Sequence, residues 1–123
     1  MYNLNPALNH DECAAIFNEV GIYMLLDVNS PLSGESLDRY NPGNSYHVGY
    51  LQRIFSVVEA FHNYPNTLAF FSGNEVINDD VSSGVVPPYM RVRLDSRMNW
   101  KVGLRLVGCY QGSEELHCQS LSP

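Results

Sequence analysis

Leu68-Ala69-Phe70-Phe71-Ser72, running straight into Gly73-Asn74-Glu75-Val76, is the stretch whose reading decides the fold. The run is short, uncharged and aromatic, and breakers bound it: Tyr64-Pro65-Asn66 upstream and Gly73-Asn74 downstream. Length and flanking breakers separate a buried strand from a buried helix where periodicity does not, so a strand is expected over 68–72. A second run of the same kind, Ile22-Tyr23-Met24-Leu25-Leu26-Asp27-Val28, stands upstream. Strands covered on both faces read as near-continuous apolar runs, which predicts a parallel sheet rather than a half-exposed hairpin.

Helical patterns fill the gaps. Residues 9–21 offer Asn9 as a cap, Glu12 three positions later as the partner of a capping box, and Gly21 as a stop. Ala14, Ile16, Phe17 and Val20 are expected on the buried side. Residues 29–45 are rich in Asn, Ser, Pro and Gly and read as a long loop, a length that in a compact domain is usually functional or mobile. A second helix is expected from about 45 to 63, with Val48, Leu51, Phe55, Val58 and Phe61 on one face. Helix, strand, helix, strand is the order of an α/β sheet, open or closed into a barrel. Beyond Pro87-Pro88, two prolines able to open a helix, the pattern weakens to one expected strand over 102–110.

Composition narrows the function. The chain has 123 residues, 45% of them apolar, and a net charge of −6. That is one domain at most, and its acidity disfavours nucleic acid and anionic membrane as partners. No run approaches the roughly 18 apolar residues of a membrane span, and the first 15 residues do not read as a secretion signal. The charge is uneven: positions 1–90 carry ten acids against Arg39 and Arg53, whereas the last 33 residues carry five bases against three acids. Cys13, Cys109 and Cys118 are odd in number and fit no zinc spacing. No metal or cofactor is expected.

Glu75 draws attention because it lies just past the carboxyl end of a buried parallel strand, where α/β barrels build their active sites. Asp27 holds the same position on the preceding strand. Strands lie about 4.8 Å apart, so the two carboxylates can face one pocket, an arrangement suited to glycoside chemistry. Asn74, directly before Glu75, can hold a sugar hydroxyl beside the scissile bond. The competing reading is that both acids only cap strand ends or accept loop hydrogen bonds.

Tyr2-Asn3-Leu4-Asn5-Pro6, Asn9-His10-Asp11-Glu12-Cys13, Gly21-Ile22-Tyr23-Met24-Leu25-Leu26-Asp27 and Phe70-Phe71-Ser72-Gly73-Asn74-Glu75-Val76, taken in that order, resemble the fungal 1,3-β-glucanosyltransferases of glycoside hydrolase family 72. The resemblance runs from Tyr2 to about Arg91. It implies an α/β fold, a partial (β/α)8 TIM barrel of about two to three βα units, within residues 1–91. Residues 92–123 form a tail that matches nothing expected there, and the charge reversal points to an altered reading frame, a retained intron or a misjoined exon, the alternative being a genuine divergent terminus. A complete barrel takes about 250 residues, so the expectation is a fragment truncated at both ends, without the family's signal peptide or lipid-anchor signal.

The resemblance also implies roles. Glu75 matches the acid/base that protonates the leaving glucan and then deprotonates the acceptor. Asn74 matches the amide that contacts the donor sugar, and Tyr2 and Asp27 match residues lining the donor side. Asn29 opens a loop, 29–37, that corresponds to one near the bound glucan. Cys13 resembles a family cysteine whose disulfide partner lies upstream. The family works by retaining double displacement on β-1,3-glucan as donor and acceptor, with two carboxyls about 5–5.5 Å apart, at the outer face of the plasma membrane or in the cell wall. Its nucleophile sits on a later strand ending Ser-Glu-Tyr-Gly; Ser113-Glu114-Glu115 shares two letters of that and none of the strand. No nucleophile is therefore expected in this chain, and little transfer activity with it. The alternative is a non-catalytic glucan-binding remnant, with Tyr2, Tyr23, Tyr46 and Phe71 as stacking surfaces.

Overall fold

A computed structural model describes residues 3–90, and residues 105–111 and 116–121 as backbone. The order of elements is α1 (Asp11–Glu19), β1 (Met24–Asp27), α2 (Pro42–Ser45), α3 (Val48–Phe61), β2 (Thr67–Phe71), α4 (Asp80–Val85), α5 (Pro87–Met90), β3 (Arg105–Gln111) and β4 (Leu116–Leu121). The sheet order is β1-β2-β3-β4. β1 and β2 are parallel, as are β2 and β3, and β4 returns antiparallel to β3. The strand expected over 102–110 is therefore present as β3, and β4 is an addition that the sequence pattern did not reveal.

The core forms where α3 lies on the first two strands. Tyr50, Ile54, Val57, Val58 and Phe61 of α3 are buried in one cluster with Met24, Leu26, Val28 and Phe70. This face is turned only in part from the one expected: Val58 and Phe61 are buried and Leu51 packs beside them, but Val48 is 71% exposed and Phe55 37%. Positions 50, 54, 57 and 61 keep the helical spacing equally well, and Tyr50 completes the face because its phenol tip has a buried partner. α1 also differs from expectation, burying only Ala14 fully while Ile16 and Val20 are exposed. It begins one residue later than expected, after His10, and the Asn9 side chain accepts from the Asp11 N–H at 2.7 Å instead of closing a capping box. At its far end Gly21 takes φ +75°, a conformation that glycine adopts without steric cost.

Strand alternation then sorts the sheet. Leu26 pairs with Phe70 on the helix-covered face, while Leu25 pairs with Ala69 and Asp27 with Phe71 on the other. Leu25 is 39% exposed, so the two-sided cover expected of β1 is not met: α3 shields one face only. Side-chain hydrogen bonds lock the layers together. Asn66, buried at the start of β2, donates from Nδ2 to the carbonyls of Ala14 and Ile22, each at 3.1 Å. Tyr64 donates to Asp11 across the same seam at 2.8 Å.

Candidate active site

Parallel strands aim their carboxyl ends the same way, so the segments that follow β1 and β2 rise from one end of the sheet. The register sets Asp27 beside Phe71, the last residue of β2, and the ladder runs one step further through the Val28 N–H to the Phe71 carbonyl at 3.1 Å. Both loops are pinned. Arg53, reaching up from α3, donates to the carbonyls of Val28 and Leu4 and lies 3.4 Å from the Glu35 carboxylate. Tyr40, in the long loop after β1, donates to Asp79 at 2.8 Å and so ties that loop to the segment after β2. Asp79 in turn caps α4 in a reciprocal box with Ser82, and these bonds hold its carboxyl below the ordinary value. The short helix α2 interrupts the loop expected over 29–45.

Asp27 is 5% exposed. Its Oδ1 accepts two hydrogen bonds from Asn29, from the backbone N–H at 2.9 Å and from Nδ2 at 2.8 Å. Burial pushes its pKa up; the Asn29 bonds and the Arg53 charge oppose that without cancelling it. Asn29 is buried too, and its Oδ1 accepts from the Tyr50 hydroxyl at 2.9 Å. Burial, with the neighbouring Tyr46 and Asp27, drives the Tyr50 phenol far above its ordinary range, so it stays a donor at any working pH. Tyr50, Arg53 and Glu35 are the residues that sequence reasoning passed over. The signal for Tyr50 was its spacing to Ile54, Val57 and Phe61.

Glu75 and Asn74 are both exposed in the turn that leaves β2. Glu75 has φ +52°, and among the described residues its carboxyl has no hydrogen-bond partner. A left-handed backbone costs a non-glycine residue roughly 1–2 kcal/mol. Such strain persists only where the surroundings impose it, and it concentrates at functional positions. The turn is tightly packed two residues earlier, where a Cβ on Gly73 would meet Val76 Cγ2 at 2.7 Å and Met90 Sδ at 3.0 Å.

Asp27 and Asn29 are thus in direct contact, with Asn74 and Glu75 in the next strand's turn. Tyr2 lies outside the described residues, as does Glu114. The aromatic set is dispersed among the described residues. Tyr23 precedes β1 at the amino end of the sheet and Phe71 closes β2 at the carboxyl end, whereas Tyr46 packs on Tyr50 and Tyr89.

A buried carboxylate ending β1 and a strained, exposed one in the turn after β2 stand at the carboxyl ends of adjacent parallel strands beside a helix layer, the layout of a piece of an α/β barrel. The family model described as glucanosyltransferase matches residues 1–100, and the chain belongs to that family, glycoside hydrolase family 72. It is 62% identical over 91 residues to the 1,3-beta-glucanosyltransferase gel2 of Aspergillus fumigatus, covering 74% of this chain and 19% of that one. It is 56% identical over 92 residues to the probable 1,3-beta-glucanosyltransferase GAS3 of Saccharomyces cerevisiae, covering 74% and 18%. Among solved structures, Saccharomyces cerevisiae Gas2p in complex with laminaritriose and laminaritetraose superposes with a TM-score of 0.58 at 40% identity, covering 63% of this chain and 17% of that one. The fold is accordingly a partial (β/α)8 barrel. The chain spans about a fifth of the length of the curated relatives it matches. No helix among the described residues is long and apolar enough to cross a membrane.

Proposed function

We propose that these residues form the donor-side and acid/base portion of a retaining 1,3-β-glucanosyltransferase. Glu75 gives its proton to the glycosidic oxygen of the departing glucan as a carboxylate nucleophile closes on the anomeric carbon. It then takes the proton of the acceptor hydroxyl as that oxygen displaces the nucleophile, so one group serves as acid and then as base. Asp27, Asn29 and Asn74 bind the donor sugar, together with Tyr2. The nucleophile is assigned to none of the 123 residues. The observation that carries this reading is the left-handed Glu75 at the carboxyl end of β2, one strand over from the buried Asp27. The laminarioligosaccharides bound to the Gas2 relative support β-1,3-glucan as the ligand.

Retention on insoluble β-1,3-glucan tests the binding half of this reading: the chain is expected to be retained, and Asp27→Ala to weaken retention about tenfold. Retention that survives Asp27→Ala combined with Asn74→Ala overturns it. Incubation with reduced laminarioligosaccharides tests the catalytic half. The 123 residues alone are expected to yield nothing longer than the donor, and elongated products would show that a nucleophile had been overlooked.

A further inference from the structure

We propose that Tyr50 is a positioning residue for the donor site, acting through Asn29 to hold the Asp27 carboxylate in its binding orientation. The inference rests on the assignment of Asp27 to glucan binding. It adds a buried helix residue that reaches the site through Asn29.

The chain of contacts is directional. The Tyr50 hydroxyl donates to Asn29 Oδ1 at 2.9 Å, which leaves Asn29 Nδ2 to donate to Asp27 Oδ1 at 2.8 Å. An amide side chain presents a donor at one end and an acceptor at the other, and the hydroxyl decides which end faces the carboxylate. Without it, Asn29 Oδ1 loses its partner in a buried site, and the amide is free to turn its oxygen toward Asp27, where two acceptors repel. With it, Asp27 Oδ1 is held by both Asn29 bonds. The other oxygen, Oδ2, accepts from no described residue, and is the atom left to receive a sugar hydroxyl.

The construction spans three elements. Asp27 ends β1, Asn29 opens the following loop, and Tyr50 stands in the first turns of α3, anchored among Ile54, Val57 and Phe61 in the core. The helix thereby fixes the loop relative to the strand, as a rigid scaffold must if a binding group is to be held closely in place. Among the described residues, the charged and titratable groups bearing on Asp27 are Arg53 and Tyr50 of α3. Arg53 is engaged by Glu35 and by two carbonyls, so its charge stays in place when the Tyr50 hydroxyl is removed.

Tyr50→Phe keeps the ring and removes the hydroxyl. Carboxyl-carbon NMR on the whole chain is expected to show the Asp27 titration midpoint moving upward, because the buried carboxylate loses a fixed donor. Laminaritetraose affinity at neutral pH is expected to fall about tenfold, with the pH below which binding is lost moving up alongside the Asp27 midpoint. A purely structural role for Tyr50 lowers stability and leaves that midpoint where it was. Asn29→Ala cuts the same relay one bond along. It must move the Asp27 midpoint in the same direction, and Tyr50→Phe added to it must move the midpoint no further. An unmoved midpoint in Asn29→Ala, or in a folded Tyr50→Phe, overturns the proposal even where Asp27→Ala abolishes glucan binding. Glucan binding that persists in Asp27→Ala overturns the donor-site assignment instead, whatever the midpoint does.

Discussion

Replacing Gly73 with alanine tests whether the turn that presents Glu75 is as tightly enclosed as the geometry indicates. The added Cβ would stand 2.7 Å from Val76 Cγ2, 3.0 Å from Met90 Sδ and 3.1 Å from Met90 Cε. Carbon atoms in contact prefer about 3.5–4.0 Å, so the Val76 overlap is roughly 0.8–1.3 Å. The Met90 thioether is flexible and can swing away. Val76 is β-branched, buried and only three residues along the same turn, so the backbone carrying Asn74 and Glu75 has to give. Overpacking of this kind costs about 1–3 kcal/mol, and each kcal/mol lowers the melting midpoint by about 4–8 °C in a domain of 60–100 residues. Gly84, exposed in α4, supplies the contrast, because a Cβ added there would have no atom within 4 Å. Gly84→Ala should therefore raise stability by up to about 1 kcal/mol. Paired thermal denaturation, with amide shifts at 74–76 as a local readout, decides the matter. A Gly73→Ala protein that melts with the parent and keeps its shifts at Asn74 and Glu75 would refute the enclosure argument.

Two further substitutions probe polar groups beside the site. Ser72 is 2% exposed and its hydroxyl has no partner among the described residues, so Ser72→Ala should be neutral or stabilise by about 1 kcal/mol in chemical denaturation; a clear loss would reveal a hidden bond. Asp27 has its pKa raised above the ordinary 3.8, chiefly by burial. As pH climbs from 3.8 through the folded-state value, the unfolded chain ionises first and the native state holds its proton, so stability falls over that window and stays lower above it. Asp27→Asn keeps an acceptor for both Asn29 bonds and removes the penalty. It should therefore gain stability over the parent at pH 7 and show little difference below pH 3.8, whereas a deficit at pH 7 would contradict the burial argument.

The sheet was legible because β1 and β2 are short, apolar and bounded by breakers, all of which are local signals. α3 was legible as a helix, and Val58 and Phe61 of its expected face are buried with Leu51 packed beside them, but apolar spacing also put Val48 and Phe55 there, whereas packing selected Tyr50, Ile54 and Val57. Apolar count alone favours Phe55 over Tyr50. Tyr50 is accommodated in the core because the Asn29 amide, 21 residues away in sequence, gives its phenol a buried partner. The exposed Ile16 and Leu25 misled for a related reason. Residues that read as core need not be covered by the elements nearest to them, and in a barrel the inner face of each strand is filled by side chains from other strands. Asp27 and Glu75 were singled out from their places at strand ends. Their contrasting environments, one buried and bonded, the other exposed on a left-handed backbone, were not, because both depend on loop contacts through Arg53, Tyr40 and Gly73 that no local pattern encodes.

Titrating the chain with laminaritetraose while following backbone amide shifts bears most directly on the central claim, that the carboxyl ends of β1 and β2 form one glucan-binding surface. The largest shifts are expected at Asp27, Asn29, Asn74 and Glu75, saturating together with a single dissociation constant. Shifts centred on Tyr23 at the amino end of the sheet, or separate saturation of the Asp27 and Glu75 segments, would contradict that claim.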